Sequence, residues 1–188
     1  MKKHFYLIFT LLLVFLFTFT LWAENKPNDP FGRVDKAEVI VHQLKPTVFS
    51  LELTWDNDQK LAAMDFPLTV KGKDFKMHYD SVSWKGRAEY FAVKSVRPID
   101  SLQQVLVGFL ADISGKTAPL PEAKGTVATL FFTADAKKDA NVCDVMVDTT
   151  FIGPSNTLCG VIPDGSGTIH PAYSVSRLSA AGQMATCK

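Results

Sequence analysis

The residues best suited to proton-transfer chemistry are His42, His78 and His170. An imidazole titrates near neutral pH and serves as a general base when a nucleophile and an orienting acid stand beside it. No Gly-x-Ser-x-Gly elbow accompanies these histidines, and each lies in a run that alternates apolar and polar residues, where an ordinary surface histidine is the plainer reading. Metal chemistry is equally sparse, with no C-x-x-C, no H-E-x-x-H and no complete acidic calcium loop. Asp56-Asn57-Asp58 reads as turn chemistry. Asp144 and Asp148 share one face of a strand-like run, where they offer either a cation site at a sheet edge or plain solvated carboxylates. The pattern is that of a non-enzyme, and no cofactor is expected.

Rings and thiols are the other reactive inventory. Trp84 and Tyr90 flank the polar turn Lys85-Gly86-Arg87 and are the candidate ligand-binding residues, because an exposed flat ring stacks on a sugar or anchors a protein partner. Trp55 is in phase with Leu51 and Leu53 and belongs to the core. Of the three cysteines, Cys143, Cys159 and Cys187, the first two lie in strand-like segments joined by a turn. They are the candidate disulfide, with two reduced, buried thiols as the alternative.

The elements that must carry these side chains begin after a leader. Lys2, Lys3 and His4 precede the apolar run Phe5–Leu21, the layout of a secretory signal peptide cut after Ala23. A retained anchor is the alternative, since a helix spans a bilayer from roughly 18 apolar residues. Either way the rest of the chain is extracytoplasmic, secreted or held in the cell envelope. After cleavage no segment inserts in a membrane. Without Lys2 and Lys3, the 20 basic residues of the full chain fall one short of its 19 acidic ones, a balance that gives no reason to expect nucleic acid as a partner.

A linker over residues 24–36 leads into a domain in which apolar residues recur with period two. Phe49 to Trp55, Met64 to Val70, Phe75 to Trp84, Tyr90 to Val96, Val105 to Ala111, Gly125 to Thr133, Asn141 to Ile152, Thr157 to Ile162 and Thr168 to Tyr173 read as strands. Pro67 cannot donate to a ladder, which places its strand at an edge or turns that position outward. Val105–Ala111 is apolar on both faces and reads as doubly buried. Residues 37–173 form one antiparallel, all-β sandwich of about nine strands, and residues 174–188 a loosely held tail.

Val105-Leu106-Val107-Gly108-Phe109, Gly125-Thr126-Val127-Ala128-Thr129-Leu130-Phe131-Phe132 and Asp80-Ser81-Val82-Ser83-Trp84-Lys85-Gly86 resemble segments of cohesin domains. Together with Val147-Asp148-Thr149-Thr150-Phe151 they are similar to exported bacterial proteins carrying cohesin-like domains. The resemblance implies a jelly-roll sandwich, related to carbohydrate-binding modules, that binds dockerin-like protein partners on a sheet face. The expected function is therefore an exported, non-catalytic binding module for an extracellular protein. A polysaccharide ligand or a structural role in the cell envelope is the alternative.

Overall fold

The computed structural model describes residues 27–112, 114–136, 139–150 and 157–187. The expected leader, and Phe151 and Ile152, lie outside the described residues. No helix among these is long and apolar enough to cross a membrane.

Eleven strands are described: β1 Lys36–Lys45, β2 Val48–Asn57, β3 Ala63–Gly72, β4 Lys76–Ser83, β5 Val93–Ile99, β6 Gln104–Leu110, β7 Ala123–Asp135, β8 Val145–Asp148, β9 Cys159–Val161, β10 Thr168–Ile169 and β11 Ala172–Leu178. They form two sheets. One has the order β11-β1-β2-β7-β4; the other has the order β10-β9-β3-β6-β5, with β8 also on β3. All pairings are antiparallel except β1 with β11.

Strand alternation builds the core directly. Phe49, Leu51, Leu53 and Trp55 of β2 are fully buried, as are Phe66 and Leu68 of β3, so the inner faces of the two sheets meet along these strands. The Trp55 ring stands edge-on to Phe66 at 5.4 Å, and Phe66 edge-on to Phe109 at 6.3 Å. Such T-shaped contacts place the positive ring edge on a negative ring face. β1, whose Ala37, Val39 and Val41 are fully buried, carries the same signal and belongs among the strands.

Several expectations are corrected. β3 is not an edge strand: it pairs with β6 on one side and with β9 and β8 on the other. Pro67 is tolerated because the β9 pairing ends at Asp65 and the β8 pairing starts at Thr69, so among the described residues no ladder on that flank needs its missing N–H. Asn141–Ile152 opens with a 3-10 turn over Val142–Asp144 before the short β8. There the Asn141 side chain accepts from Cys143 N at 2.8 Å and draws the backbone into a turn.

The run Thr168–Tyr173 is broken at His170-Pro171, and its halves enter different sheets. The expected tail is not loose either, because Ser174–Leu178 continues β11 along β1. The expected linker is tied down from Asn28 onward: Asn28 N donates to His170 O at 2.9 Å, and Asp35 is fully buried.

Candidate binding face

The expected aromatic pair divides. Trp84 is half-buried and sets its ring edge against Phe109 at 5.5 Å. It packs on the core where a flat, open platform was expected. Tyr90 is 47% exposed but lies in a turn, since β5 starts only at Val93. Its hydroxyl donates to Pro119 O at 2.9 Å and its ring meets Phe91 at 5.2 Å.

The turn bearing both rings is fixed by Arg87, whose guanidinium donates to Trp55 O at 2.9 Å, Ala123 O at 2.6 Å, Asn57 Oδ1 at 3.0 Å and Pro121 O. Burial lowers the Arg87 pKa, opposed by the nearby Tyr90 and acidic groups. Gly86 permits this approach, because a Cβ there would stand 2.6 Å from Thr126 O.

The thiols are paired differently from the expectation. Cys143 is bonded to Cys187, and Cys159 is free and half-buried. Cys159 faces Asp65 in the β3–β9 ladder, whereas β11 and the turn after it carry Cys187 back to the start of β8. Burial pushes the Cys159 thiol up, and the Asp65 carboxylate adds to the shift.

The histidines stand apart. His42 is 3.3 Å from Glu52, His170 Nδ1 is 3.2 Å from Leu158 O, and His78 is opposite Thr133 across β4 and β7. Asp144 and Asp148 do not converge. Asp144 lines a cavity of about 550 Å³ with Asp74, Asp135 and Asp139, while Asp148 accepts from Thr149 N.

Asp29, Asp35 and Asp58 are the described carboxylates that come together, with oxygens within 4.8 Å of one another. Their oxygens are engaged locally, by Phe31 N, Asp35 N, Arg33 N, Asp58 N and Trp55 Nε1. The cluster thereby knots the segment before β1 to the turn after β2. The turn expected at Asp56-Asn57-Asp58 is corrected in part: Asp56 and Asn57 belong to β2, and only Asp58 lies in the bend that follows.

A feature that strand alternation did not reveal lies on the outer face of the β9-β3-β6-β5 sheet. β6 is not doubly buried: Val105, Val107 and Phe109 face the core, whereas Leu106, Gly108 and Leu110 are half-buried on the outside. Register extends that outer line across the sheet. Val93, Leu110, Ala63 and Val161 form one apolar row. The next row is Ser95, Gly108, Asp65 and Cys159, and Arg97, Leu106 and Pro67 follow.

Asp65 and Ser95 crowd over Gly108, where a Cβ would be 3.1 Å from Asp65 Oδ1 and from Ser95 Oγ. Asp65 is exposed, has no salt bridge among the described residues, and is held above the usual carboxylate range by desolvation. One carboxylate without a salt bridge among the described residues thus stands beside the apolar row on a sheet face.

Two antiparallel-dominated sheets closed by a parallel β1–β11 pair define a cohesin-like, jelly-roll sandwich. The chain matches 26 solved chains. The OlpA cohesin of Clostridium thermocellum, solved in complex with dockerin Doc918, superposes with a TM-score of 0.59 at 11% identity, over 78% of this chain and 100% of that one. The third ScaC cohesin of Acetivibrio cellulolyticus, in complex with the ScaB dockerin, gives 0.57 at 15% identity, over 76% and 96%. The second type II cohesin of the ScaA scaffoldin of Acetivibrio cellulolyticus gives 0.52 at 11%, over 76% and 93%. No protein-family model and no curated protein matches the chain.

Proposed function

We propose that this domain is an exported, non-catalytic module that binds a dockerin-like protein through the outer face of the β9-β3-β6-β5 sheet. The observation that carries the reading is the apolar row Val93–Leu110–Ala63–Val161 lying beside the lone Asp65 carboxylate. Apolar surface contributes affinity when covered, and a carboxylate without a salt bridge selects for a partner that donates to it. Support comes also from the fold, since the OlpA and ScaC cohesins are solved with dockerins bound.

Titration calorimetry of the leaderless chain against a panel of dockerin modules tests the reading. Saturable binding that drops at least tenfold in Leu110→Lys, and survives Ile40→Lys on the other sheet, is expected. Equal loss in both variants, or no saturable binding across the panel, overturns it.

A further inference from the structure

The segment from Ala172 to Cys187 leaves one sheet and is fastened to the other. β11 runs parallel to β1 from Lys36↔Ala172 to His42↔Leu178. It is entered through the two-residue step His170-Pro171 from β10. Beyond Leu178 the chain folds back, with Ser179 N donating to Gln183 O and Ala185 N to Arg177 O, both at 2.9 Å. Arg177 reaches across to β8, its Nε and Nη2 donating to Val145 O at 3.2 and 2.9 Å. Cys187 then closes the disulfide with Cys143, just before β8. The strap thus bridges the side of the sandwich between β1 and β8.

Its hold combines the backbone ladder to β1, the disulfide, side-chain hydrogen bonds from Ser176 and Arg177, and only partial packing of Tyr173, Val175 and Ala185 on the core. No β11 side chain is fully buried: Tyr173 and Val175 are half-buried, Ser174 is exposed, and Met184 beyond the strand is 68% exposed. Among the described residues the buried Tyr173 hydroxyl has no hydrogen-bond partner, a cost to keeping the strand docked. Cys187 is exposed and Cys143 half-buried, so an attacking thiolate has access to the Cys187 sulfur.

We propose that Cys143–Cys187 is a redox latch on this strap. A thiolate of a dithiol reductant attacks Cys187 Sγ, forms a mixed disulfide and expels the Cys143 thiolate. The reductant's second thiolate then displaces Cys187, so the reductant is oxidised to its disulfide while the protein gains two electrons and two protons as two thiols. The freed strap leaves β1, which then presents the unpaired backbone edge of Lys36–His42.

Hydrogen exchange read by mass spectrometry tests this on three samples: the oxidised leaderless chain, the same chain in dithiothreitol, and the Cys143→Ser/Cys187→Ser double variant. Alkylation after unfolding counts one free thiol in the oxidised chain and three in the reduced one, since the chain has three cysteines. The expected result is a tenfold or greater gain in exchange rate in β11 and in β1, for the reduced chain and the double variant alike, with β2 and β7 still protected. Unchanged β1 and β11 protection after full reduction overturns the latch. So does loss of protection in β2 and β7 together with β11, which would make the bond a global staple. Resistance of the disulfide to millimolar dithiothreitol in the native state overturns it as well.

Discussion

Trp55 donates its indole N–H to Asp35 Oδ2 at 2.8 Å, with both residues fully buried at the edge of the core. The bond satisfies the indole and orients the carboxylate, while Asp35 Oδ1 accepts from Asp58 N at 3.3 Å. A carboxylate so placed loses its water, and two good donors restore only part of that stabilisation. Desolvation therefore dominates and raises the Asp35 pKa from 3.8 to about 6, against the opposing pull of the Trp55 hydrogen bond.

This sets the sign of a pH effect. The folded chain holds the Asp35 proton more tightly than the unfolded chain, so the stabilising contribution is complete below about pH 4 and is lost as pH rises through about 6. The pKa difference corresponds to roughly 3 kcal/mol at most. Urea midpoints measured between pH 4 and 7 should fall with rising pH in the native sequence, and Asp35→Asn should flatten that slope. A slope equally steep in the variant would assign the effect elsewhere.

Arg87 supports a second prediction. Its guanidinium donates to three carbonyls and one amide oxygen and forms no salt bridge among the described residues, joining the ends of β2 and β7 to the turn that carries Tyr90. Arg87→Met leaves those acceptors to find water, with an expected loss of about 2–4 kcal/mol in thermal or chemical denaturation. Arg87→Lys should recover less than half of it, because a single ammonium cannot reproduce the planar fork. Full rescue by lysine would show that charge, not geometry, matters here.

How much of this was legible depended on range. β2, β3, β4, β6 and β7 follow from period-two alternation, because one buried face forces every second residue to be apolar. The missing signals are long-range ones. Cys187 meets Cys143 only because the chain changes sheets at His170-Pro171 and β11 then runs parallel to β1, which no local pattern encodes. Leu106 and Leu110 made β6 look doubly buried. A half-buried apolar row on the outer face has the same sequence signature, and only the register with Ala63, Val93 and Val161 separates the two. Tyr90 lost its strand because the Arg87 hydrogen bonds hold that stretch as a turn. The half-buried ring of Trp84 follows from its contact with Phe109.

The divided fates of the two rings are measurable. Trp84→Ala removes an edge contact with Phe109 and part of the core lining, with an expected cost of about 2–3 kcal/mol in denaturant unfolding. Tyr90→Ala gives up one hydrogen bond to Pro119 O and an exposed ring, for about 1 kcal/mol or less. If the domain takes a glycan, retention on insoluble polysaccharide should drop in Tyr90→Ala while the domain stays folded. A Trp84→Ala variant as stable as the native chain would mean that its ring is not part of the core.

Asp65 carries the sharpest trade between stability and binding. Aspartate is disfavoured in strand interiors, and this one has its pKa raised by partial desolvation, with no salt bridge among the described residues. Asp65→Leu extends the surrounding apolar rows and should stabilise the isolated domain by about 0.5–1 kcal/mol, the gain typical of relieving a functional residue. Its position beside the apolar row makes it the group a partner's donor would meet, so the same change should weaken a dockerin-like partner at least tenfold. Denaturation and calorimetry on one preparation read both effects. A variant that is less stable, and that binds as tightly as the native chain, would remove Asp65 from the face and return it to the fold.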